Sequence, residues 1–143
     1  MNRTTRNSFL FAPAIAFTLL VAVASAASFE ISRIALSFDD QKAATIVERG
    51  SRLTAQAEVS YSGNGLLRAT WEVAGPNPDG NNPQYRVLTN VQQPLTGRDA
   101  AIVKSPSLPT ESTGAYLVRL KVTEPSLGFS APTVRYSVNE KKN

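Results

Sequence analysis

The sequence predicts an all-β protein, a sandwich of two antiparallel sheets with seven to eight strands, preceded by a cleaved signal peptide. Three observations lead to this prediction. Apolar and polar residues alternate with a period of two in several short segments, as in strands with one buried face. Glycine, proline and asparagine separate these segments at short intervals. After residue 26 no segment has the periodicity of an amphipathic helix.

The first 26 residues have the three parts of a secretory signal peptide. Arg3 and Arg6 supply the positive charge, residues 9–24 form an apolar run, and Ala24-Ser25-Ala26 is a small-x-small cleavage sequence. A retained membrane anchor is the alternative, but the run is shorter than the roughly 20 residues that span a bilayer and contains Pro13. We therefore expect cleavage after residue 26.

The predicted mature chain, residues 27–143, is long enough for one domain with a single core. Removal of Arg3 and Arg6 lowers the net charge from +4 to +2, so the charge does not indicate a nucleic-acid partner. The chain has no cysteine, hence no disulfide and no thiol for a lipid anchor. We expect an exported protein without stable membrane insertion, in the periplasm, with an extracellular location as the alternative.

The first predicted strand consists of two segments with a change of phase between them. Apolar residues alternate over 29–31 and again over 34–38, and Ser32-Arg33 interrupts the alternation. A β-bulge or a switch between sheets would explain this interruption. Residues 39–42 then predict a turn, and residues 43–48 predict a short edge strand.

The middle of the chain holds the clearest strand pattern. Residues 53–61 alternate between an apolar and a polar face, and Ser62-Gly63-Asn64-Gly65 predicts a hairpin turn that leads into a strand at 66–73. The inward residues of that strand are Leu67, Ala69, Trp71 and Val73, and the outward residues are Leu66, Arg68, Thr70 and Glu72. Trp71, the only tryptophan, is large enough to fill the middle of a two-sheet sandwich.

The second half of the chain contains four more predicted strands. They cover residues 85–91, 99–104, 115–123 and 133–138. The intervening segments are a loop at 74–84, a break at 92–97, a proline-rich crossing at 105–110 and a loop at 124–130. Because proline cannot donate to a sheet ladder, we expect the proline-rich segments outside the central sheet.

The segment Gly114-Ala115-Tyr116-Leu117-Val118-Arg119-Leu120-Lys121-Val122 resembles the penultimate strand of bacterial immunoglobulin-like domains of the PKD and fibronectin type III kind. In those domains a glycine, one further residue and a tyrosine open a strand of alternating aliphatic residues. The resemblance covers residues 28–139 and implies an immunoglobulin-like β-sandwich. It implies that the Trp71 strand is the third strand and that Tyr116 is a tyrosine-corner residue, which makes Trp71 and Tyr116 structural anchors.

The resemblance is limited to the strand pattern. PKD domains carry a Trp-x-Phe-Gly-Asp-Gly motif, whereas this chain has Trp71-Glu72-Val73-Ala74-Gly75-Pro76. The paired cysteines of antibody-type domains are absent as well. Domains of this fold serve as binding, adhesive, spacer and enzyme-appended modules, so the fold does not choose among these functions.

The sequence contains few residues that are candidates for a catalytic role. The absence of histidine and cysteine excludes the usual nucleophile–base pairs and the common zinc sites. Asp39 and Asp40 are adjacent in a predicted turn, where successive side chains diverge, and the other acids are scattered. We therefore predict no catalytic residue and no enzyme activity.

The loop after the Trp71 strand is a candidate calcium site, since Asn77, Asp79 and Asn81 are spaced two residues apart. A helical calcium loop needs a carboxylate eleven residues after its first ligand, and Leu88 occupies that position. Asn, Asp, Gly and Pro are also the ordinary residues of turns. We predict turn chemistry here, with no metal and no cofactor.

A basic face is predicted on three strands that are expected to be neighbours. Its residues are Arg68, Arg119, Lys121 and Arg135, with Glu72 as the only acid. Such a stripe could bind an acidic glycan, a lipid headgroup or a protein. The alternative is a solvated sheet face on which long charged side chains cover apolar surface.

The leading functional hypothesis is an exported, non-catalytic module that works by contact with a protein or another envelope component. One alternative is a glycan-binding module for an acidic glycan, and a second is an unrecognised small hydrolase or inhibitor. Exposed aromatic residues on one face would favour glycan binding, and a deep pocket with acidic residues would favour an enzyme. A flat surface or an open strand edge would favour protein contact.

Overall fold

Within the part of the chain that the structure describes, eight strands follow one another without an intervening helix. The computed structural model describes residues 28–143, and the predicted signal peptide lies outside them. The strands are β1 (Glu30–Phe38), β2 (Ala44–Glu48), β3 (Ala55–Ser62), β4 (Gly65–Ala74), β5 (Tyr85–Leu95), β6 (Arg98–Lys104), β7 (Gly114–Glu124) and β8 (Thr133–Asn139). This part of the chain contains no helix that is long and apolar enough to cross a membrane.

The strands form two sheets that enclose one core. The three-stranded sheet has the order β1-β3-β6, and the five-stranded sheet has the order β2-β8-β7-β4-β5. The predicted all-β sandwich of seven to eight strands is confirmed. The structure adds one parallel pair, β2 with β8, to otherwise antiparallel sheets. These two strands lie far apart in sequence, so no hairpin forces them to be antiparallel.

The predicted interruption of the first strand is a β-bulge. The register of β1 on β3 shifts between Ile31 and Arg33, while both parts of β1 remain on β3. The switch of sheets comes later, in the turn between β1 and β2. There the amide of Gln41 donates to the carbonyl of Phe38 at 2.8 Å. This tight turn places β2 at the edge of the second sheet.

The centre of the core is the inward face of β4. Leu67, Ala69, Trp71 and Val73 are all buried, as the alternation predicts. The Trp71 side chain is fully buried, and its indole N–H has no hydrogen-bond partner within residues 28–143. Trp71 therefore contributes to the fold through the packing of its ring in the core.

The predicted break at 92–97 is wrong for residues 92–95, which continue β5. Pro94 lies within this strand, opposite Leu66 of β4. β5 is an edge strand, and a strand with a neighbour on one side only can contain a proline without losing a ladder hydrogen bond. Leu95 then ends the strand with its side chain in the core.

Two stacked tyrosines hold the segment that connects β6 to β7. The rings of Tyr116 and Tyr136 lie parallel, with centroids 4.8 Å apart. The Tyr116 hydroxyl donates to the carbonyl of Ser112 at 2.7 Å, and the Tyr136 hydroxyl donates to the carbonyl of Pro109 at 2.7 Å. A bond to a carbonyl a few residues upstream is the tyrosine-corner arrangement that the resemblance implies for Tyr116. Burial raises the pKa of both hydroxyls.

Candidate binding surfaces

The four cations of the predicted basic face lie on the outer surface of the five-stranded sheet. Arg68 is on β4, Arg119 and Lys121 are on β7, and Arg135 is on β8. These three strands are neighbours, as the prediction requires. The four side chains nevertheless have different surroundings, because two of them have acidic partners.

Arg119 is held in a cluster with Glu72 and Tyr85. Its Nη2 lies 3.2 Å from Oε2 of Glu72, and its guanidinium carbon lies 3.7 Å from the centre of the Tyr85 ring. Glu72, predicted as a solvated outward residue, is on the outer face but only 5% exposed. The reason is that the Arg119 side chain reaches from β7 across β4 to Tyr85 on β5. Arg119 therefore joins three strands and is not available as a free cation.

The remaining cations do not form a continuous stripe. Nε of Arg68 lies 3.3 Å from Oε2 of Glu124, so Glu72 is not the only acid of this face. Lys121 and Arg135 have no acidic partner within 4.0 Å in the part of the chain that the structure describes. Arg135 is opposite Leu117, four residues from Lys121 along β7, which separates the two by roughly 13 Å. The binding role of this face stays a prediction.

A groove lies beside Lys121, between β7 and the loop that connects it to β8. Its volume is about 430 Å³, and the loop contributes Leu127 and Phe129 to its wall. Phe129 is 38% exposed, so its ring is accessible from solvent at the wall of the groove. The groove thus brings one unpaired cation close to one accessible aromatic ring.

The two adjacent acids of the first turn both accept hydrogen bonds from other residues of the chain. The carboxylate of Asp39 accepts hydrogen bonds from the amide and the hydroxyl of Thr54. The carboxylate of Asp40 accepts from the amide of Lys42 at 3.0 Å and from the hydroxyl of Thr45 at 3.1 Å. Because the two side chains bond to different partners, they do not converge on a common point.

Side-chain oxygens of the loop at 77–82 accept hydrogen bonds from backbone amides of β7 and of the loop itself. Oδ1 of Asn77 accepts from the amide of Ala115 at 3.0 Å, and Oδ1 of Asp79 accepts from the amide of Asn81 at 2.9 Å. Residues 28–143 contain no group of three or more His, Cys, Asp or Glu side chains that could hold a metal ion. The absence of a metal or cofactor in the whole protein stays a prediction.

The edge strand β2 runs parallel to β8. At one end of the pair the amide of Arg135 donates to the carbonyl of Ala43, and at the other the amide of Arg49 donates to the carbonyl of Asn139. In a parallel ladder every second residue of a strand bonds to the neighbouring strand. The residues of β2 that bond to β8 are therefore the odd-numbered ones.

The peptide groups of Ala44 and Ile46 point away from β8. The alternation of the parallel ladder gives neither residue a hydrogen bond to β8, and the turn, loop and side-chain hydrogen bonds within residues 28–143 do not involve the backbone of either residue. The Ile46 side chain is on the outer face and 69% exposed, whereas Val47 packs against the core. The outer side of β2 thus offers free donors and acceptors beside an exposed apolar side chain, which is the template that an added strand requires.

The other three edges carry features that discourage strand pairing. Natural proteins protect edges with charges, prolines and bulges. β1 has its bulge at Ser32, β5 contains Pro94 and a register shift, and β6 contains Arg98, Asp99 and Lys104. The register of β2 on β8 is continuous, and its one charge, Glu48, is at its last residue. The sequence predicts an edge strand at 43–48. Which other strands are edges, and so how β2 differs from them, follows only from the order of the strands in the sheets.

No protein-family model matches this chain, and no curated protein matches it. Solved structures do match. The CARDB domain of a Pyrococcus furiosus protein, solved in complex with di-metal ions, has a TM-score of 0.57 and 13% identity, over 80% of this chain and 99% of that chain. A β-glucosidase from Erythrobacter marinus has a TM-score of 0.53 and 11% identity, over 78% of this chain.

The β-glucosidases match through a small part of their length. This chain covers 15% of the Erythrobacter marinus enzyme and 16% of a β-glucosidase from Listeria innocua, for which the TM-score is 0.51 and the identity 9%. At such identities the likeness concerns the fold and not the activity. The described part of this chain is an immunoglobulin-like β-sandwich module, as the resemblance of the Tyr116 strand implies.

Proposed function

We propose that the chain is an exported, non-catalytic module that works by contact with a protein of the cell envelope. The observation that supports this proposal best is the open edge of β2. Free peptide groups at Ala44 and Ile46 offer hydrogen bonds to an extended segment, and the exposed Ile46 side chain offers apolar contact. Export, with a periplasmic location, rests on the signal sequence of residues 1–26.

The chemistry of the described residues is in keeping with a non-catalytic role. The sequence has neither histidine nor cysteine, and the adjacent acids Asp39 and Asp40 accept hydrogen bonds from different residues, Thr54 and Thr45. Neither the glucosidase activity of the larger enzymes nor the metal binding of the archaeal domain is carried over to this chain. This chain matches only a small part of the glucosidases, which does not support their activity here. Metal binding would require a cluster of metal-ligating side chains, and residues 28–143 contain no group of three or more His, Cys, Asp or Glu that could hold an ion.

Photo-cross-linking at the β2 edge tests the proposal. A photoreactive amino acid replaces Ile46 in the full chain, which is expressed in the cells that produce it naturally. The same replacement at Val87, another exposed apolar residue at an edge of the same sheet, is the matched control. We expect a discrete adduct with a protein from position 46 and none from position 87.

Two outcomes would contradict the proposal. One is the absence of any protein adduct from position 46. The other is an equal yield of adducts from positions 46 and 87, since that would indicate random collision. Intact-mass analysis of the recovered protein tests the export part, because cleavage after residue 26 gives a product that starts at Ala27.

Glycan binding is a second candidate function, and the groove beside Lys121 favours it. An exposed ring such as Phe129 can stack on a sugar, and an unpaired ammonium can bind its carboxylate. Titration with a polyuronate tests this function, with a neutral polysaccharide as the comparison. Phe129→Ala and Lys121→Ala should each abolish binding, whereas Arg68→Ala, on the same face outside the groove, should not. Failure of the wild-type protein to bind would exclude it for this ligand class.

A further inference from the structure

We infer that the strand that pairs with β2 belongs to a second copy of this chain, so that two five-stranded sheets join edge to edge. The inference rests on the proposed function, because it names the partner of the same open edge. It is carried by three observations: the arrangement of the free peptide groups, the exposed Ile46 side chain, and the charges at the two ends of β2.

The free peptide groups permit antiparallel pairing about a two-fold axis. If the axis passes beside Ile46, this residue lies opposite Ile46 of the second copy, and each donates its N–H to the other. Ala44 then lies opposite Glu48 of the other copy. Since the even-numbered residues of β2 point their peptide groups away from β8, the peptide groups of Ala44 and Ile46 and the N–H of Glu48 face the partner without any change in the fold. The carbonyl of Glu48 already accepts from the amide of Ser51 at 3.0 Å, so the N–H of Ala44 of the second copy would share this acceptor.

The same register places the two exposed isoleucines beside each other. Ile46 is the most exposed of the large apolar side chains in residues 28–143. Opposite residues of an antiparallel pair have Cβ atoms about 5 Å apart, so each Ile46 side chain would cover the other. The contact thus removes from water the apolar surface that the single sandwich leaves open.

The charges of β2 are complementary under this two-fold axis. Glu48, at the end of the strand, would lie opposite Ala44 of the second copy. Ala44 is next to Arg135 in the sheet, and Lys42 is two residues before it. Neither Lys42 nor Arg135 has an acidic side-chain partner within residues 28–143. Asp40 lines the same surface groove as these two cations, so each Glu48 would approach two cations and one carboxylate. The net charge that it meets is positive, and this contact would occur twice.

The size of the contact indicates a weak dimer. A strand of five residues and its flanking side chains bury less than the roughly 1,200 Å² at the low end of stable interfaces. We therefore expect association in the micromolar to millimolar range rather than at nanomolar concentrations.

Sedimentation equilibrium of the mature protein from about 1 µM to about 1 mM measures this association. We expect the mean mass to rise from monomer to dimer with concentration. Ile46→Lys should weaken the association by about tenfold or more, since it places two ammonium groups on the axis. Val87→Lys, the matched change on β5, should leave it unaltered. Wild-type protein that stays monomeric, or Ile46→Lys that dimerises as well as wild type, would overturn the inference.

A charge exchange tests the register. Glu48→Lys alone, and the double variant Lys42→Glu/Arg135→Glu alone, should each stay monomeric because like charges then meet. A mixture of these two proteins should form a heterodimer, since both contacts are then attractive. A mixture that does not associate would contradict the register about Ile46. Equal thermal midpoints of all variants would show that their folds are intact.

The outcomes distinguish this inference from the proposed function. If the protein is monomeric at about 1 mM while position 46 cross-links to a different protein, the second copy is wrong and the contact function stands. If position 46 gives no protein adduct at all in the producing cells, the contact function itself is wrong. An adduct of twice the mass of the chain, with dimerisation that depends on Ile46, supports both.

Discussion

Trp71 is the largest side chain in the core, and both sheets close over it. Its replacement by alanine removes a buried ring and leaves a cavity that the sandwich cannot fill. We expect Trp71→Ala to lower the free energy of unfolding by about 3–5 kcal/mol. Val87→Ala, an exposed position on the neighbouring strand, should change it by less than about 0.5 kcal/mol. Chemical denaturation of the two variants measures the difference, and similar midpoints would contradict a core centred on Trp71.

The raised pKa of the Tyr136 hydroxyl should make the free energy of unfolding depend on pH in the alkaline range. Burial, and next to it the neighbouring Tyr116, raises the pKa of the Tyr136 hydroxyl in the folded protein. An unfolded tyrosine ionises near pH 10, so above about pH 10 the unfolded state gives up a proton that the folded state keeps. Stability is therefore full below about pH 10 and is lost as the pH rises above it, by up to about 1.4 kcal/mol per pH unit for this residue.

Tyr136→Phe tests this dependence. At neutral pH the variant should lose about 1 kcal/mol, because the hydroxyl no longer donates to the carbonyl of Pro109. Between about pH 10 and pH 12 its stability should fall less steeply than that of the wild type. Denaturant melts across this range provide the measurement. Equal slopes would show that the hydroxyl is not kept neutral by the fold.

At the scale of elements, Arg119 joins β7 to β4 and β5 through Glu72 and Tyr85. Arg119→Met would leave the buried carboxylate of Glu72 without its cation, at a cost of about 2–3 kcal/mol. The exposed pair of Arg68 and Glu124 is the control, and Arg68→Met should cost less than about 1 kcal/mol. The double variant Glu72→Met/Arg119→Met should recover much of the loss. Equal costs for the two single arginine variants would contradict the structural role of the cluster.

The same elements show what sequence reasoning can predict. The alternation of apolar and polar residues identified the buried face of β4, because successive side chains of a strand point to opposite faces of the sheet. It predicted Glu72 as solvated because the side chain that covers it comes from Arg119 on another strand. It ended β5 before Pro94 because the tolerance of a proline depends on whether the strand is an edge. Both differences arise from contacts distant in sequence.

The β2 edge and the basic face were also predictable from the sequence only in part. Residues 43–48 were identified as an edge strand from their position between two turns. Which peptide groups of β2 stay free depends on its parallel register with β8, and the sequence contains no local signal for that register. The basic face was located on the right strands, but Glu124 on β7 and the stack on Tyr85 remove two of its cations.

At the scale of the whole molecule, one continuous core should make folding independent of metal ions. A calcium site occupied at one hundred times its dissociation constant would add about 2.7 kcal/mol and raise the melting midpoint by several degrees. We expect the mature protein to melt at the same temperature with excess calcium and with a chelator. A calcium-dependent shift that is lost in Asp79→Ala would contradict this expectation and would assign a function to the loop at 77–82.

Amide hydrogen exchange at β2 tests whether the open edge of this strand is where the module binds. In dilute protein the amides of Ala44 and Ile46 should exchange rapidly, and those of Thr45 and Val47 slowly, because the last two bond to β8. Under the conditions in which position 46 cross-links, exchange at Ala44 and Ile46 should become slower by about tenfold or more, whereas Thr45 and Val47 should change little. Rapid exchange at Ala44 and Ile46 under both conditions would contradict strand pairing at this edge.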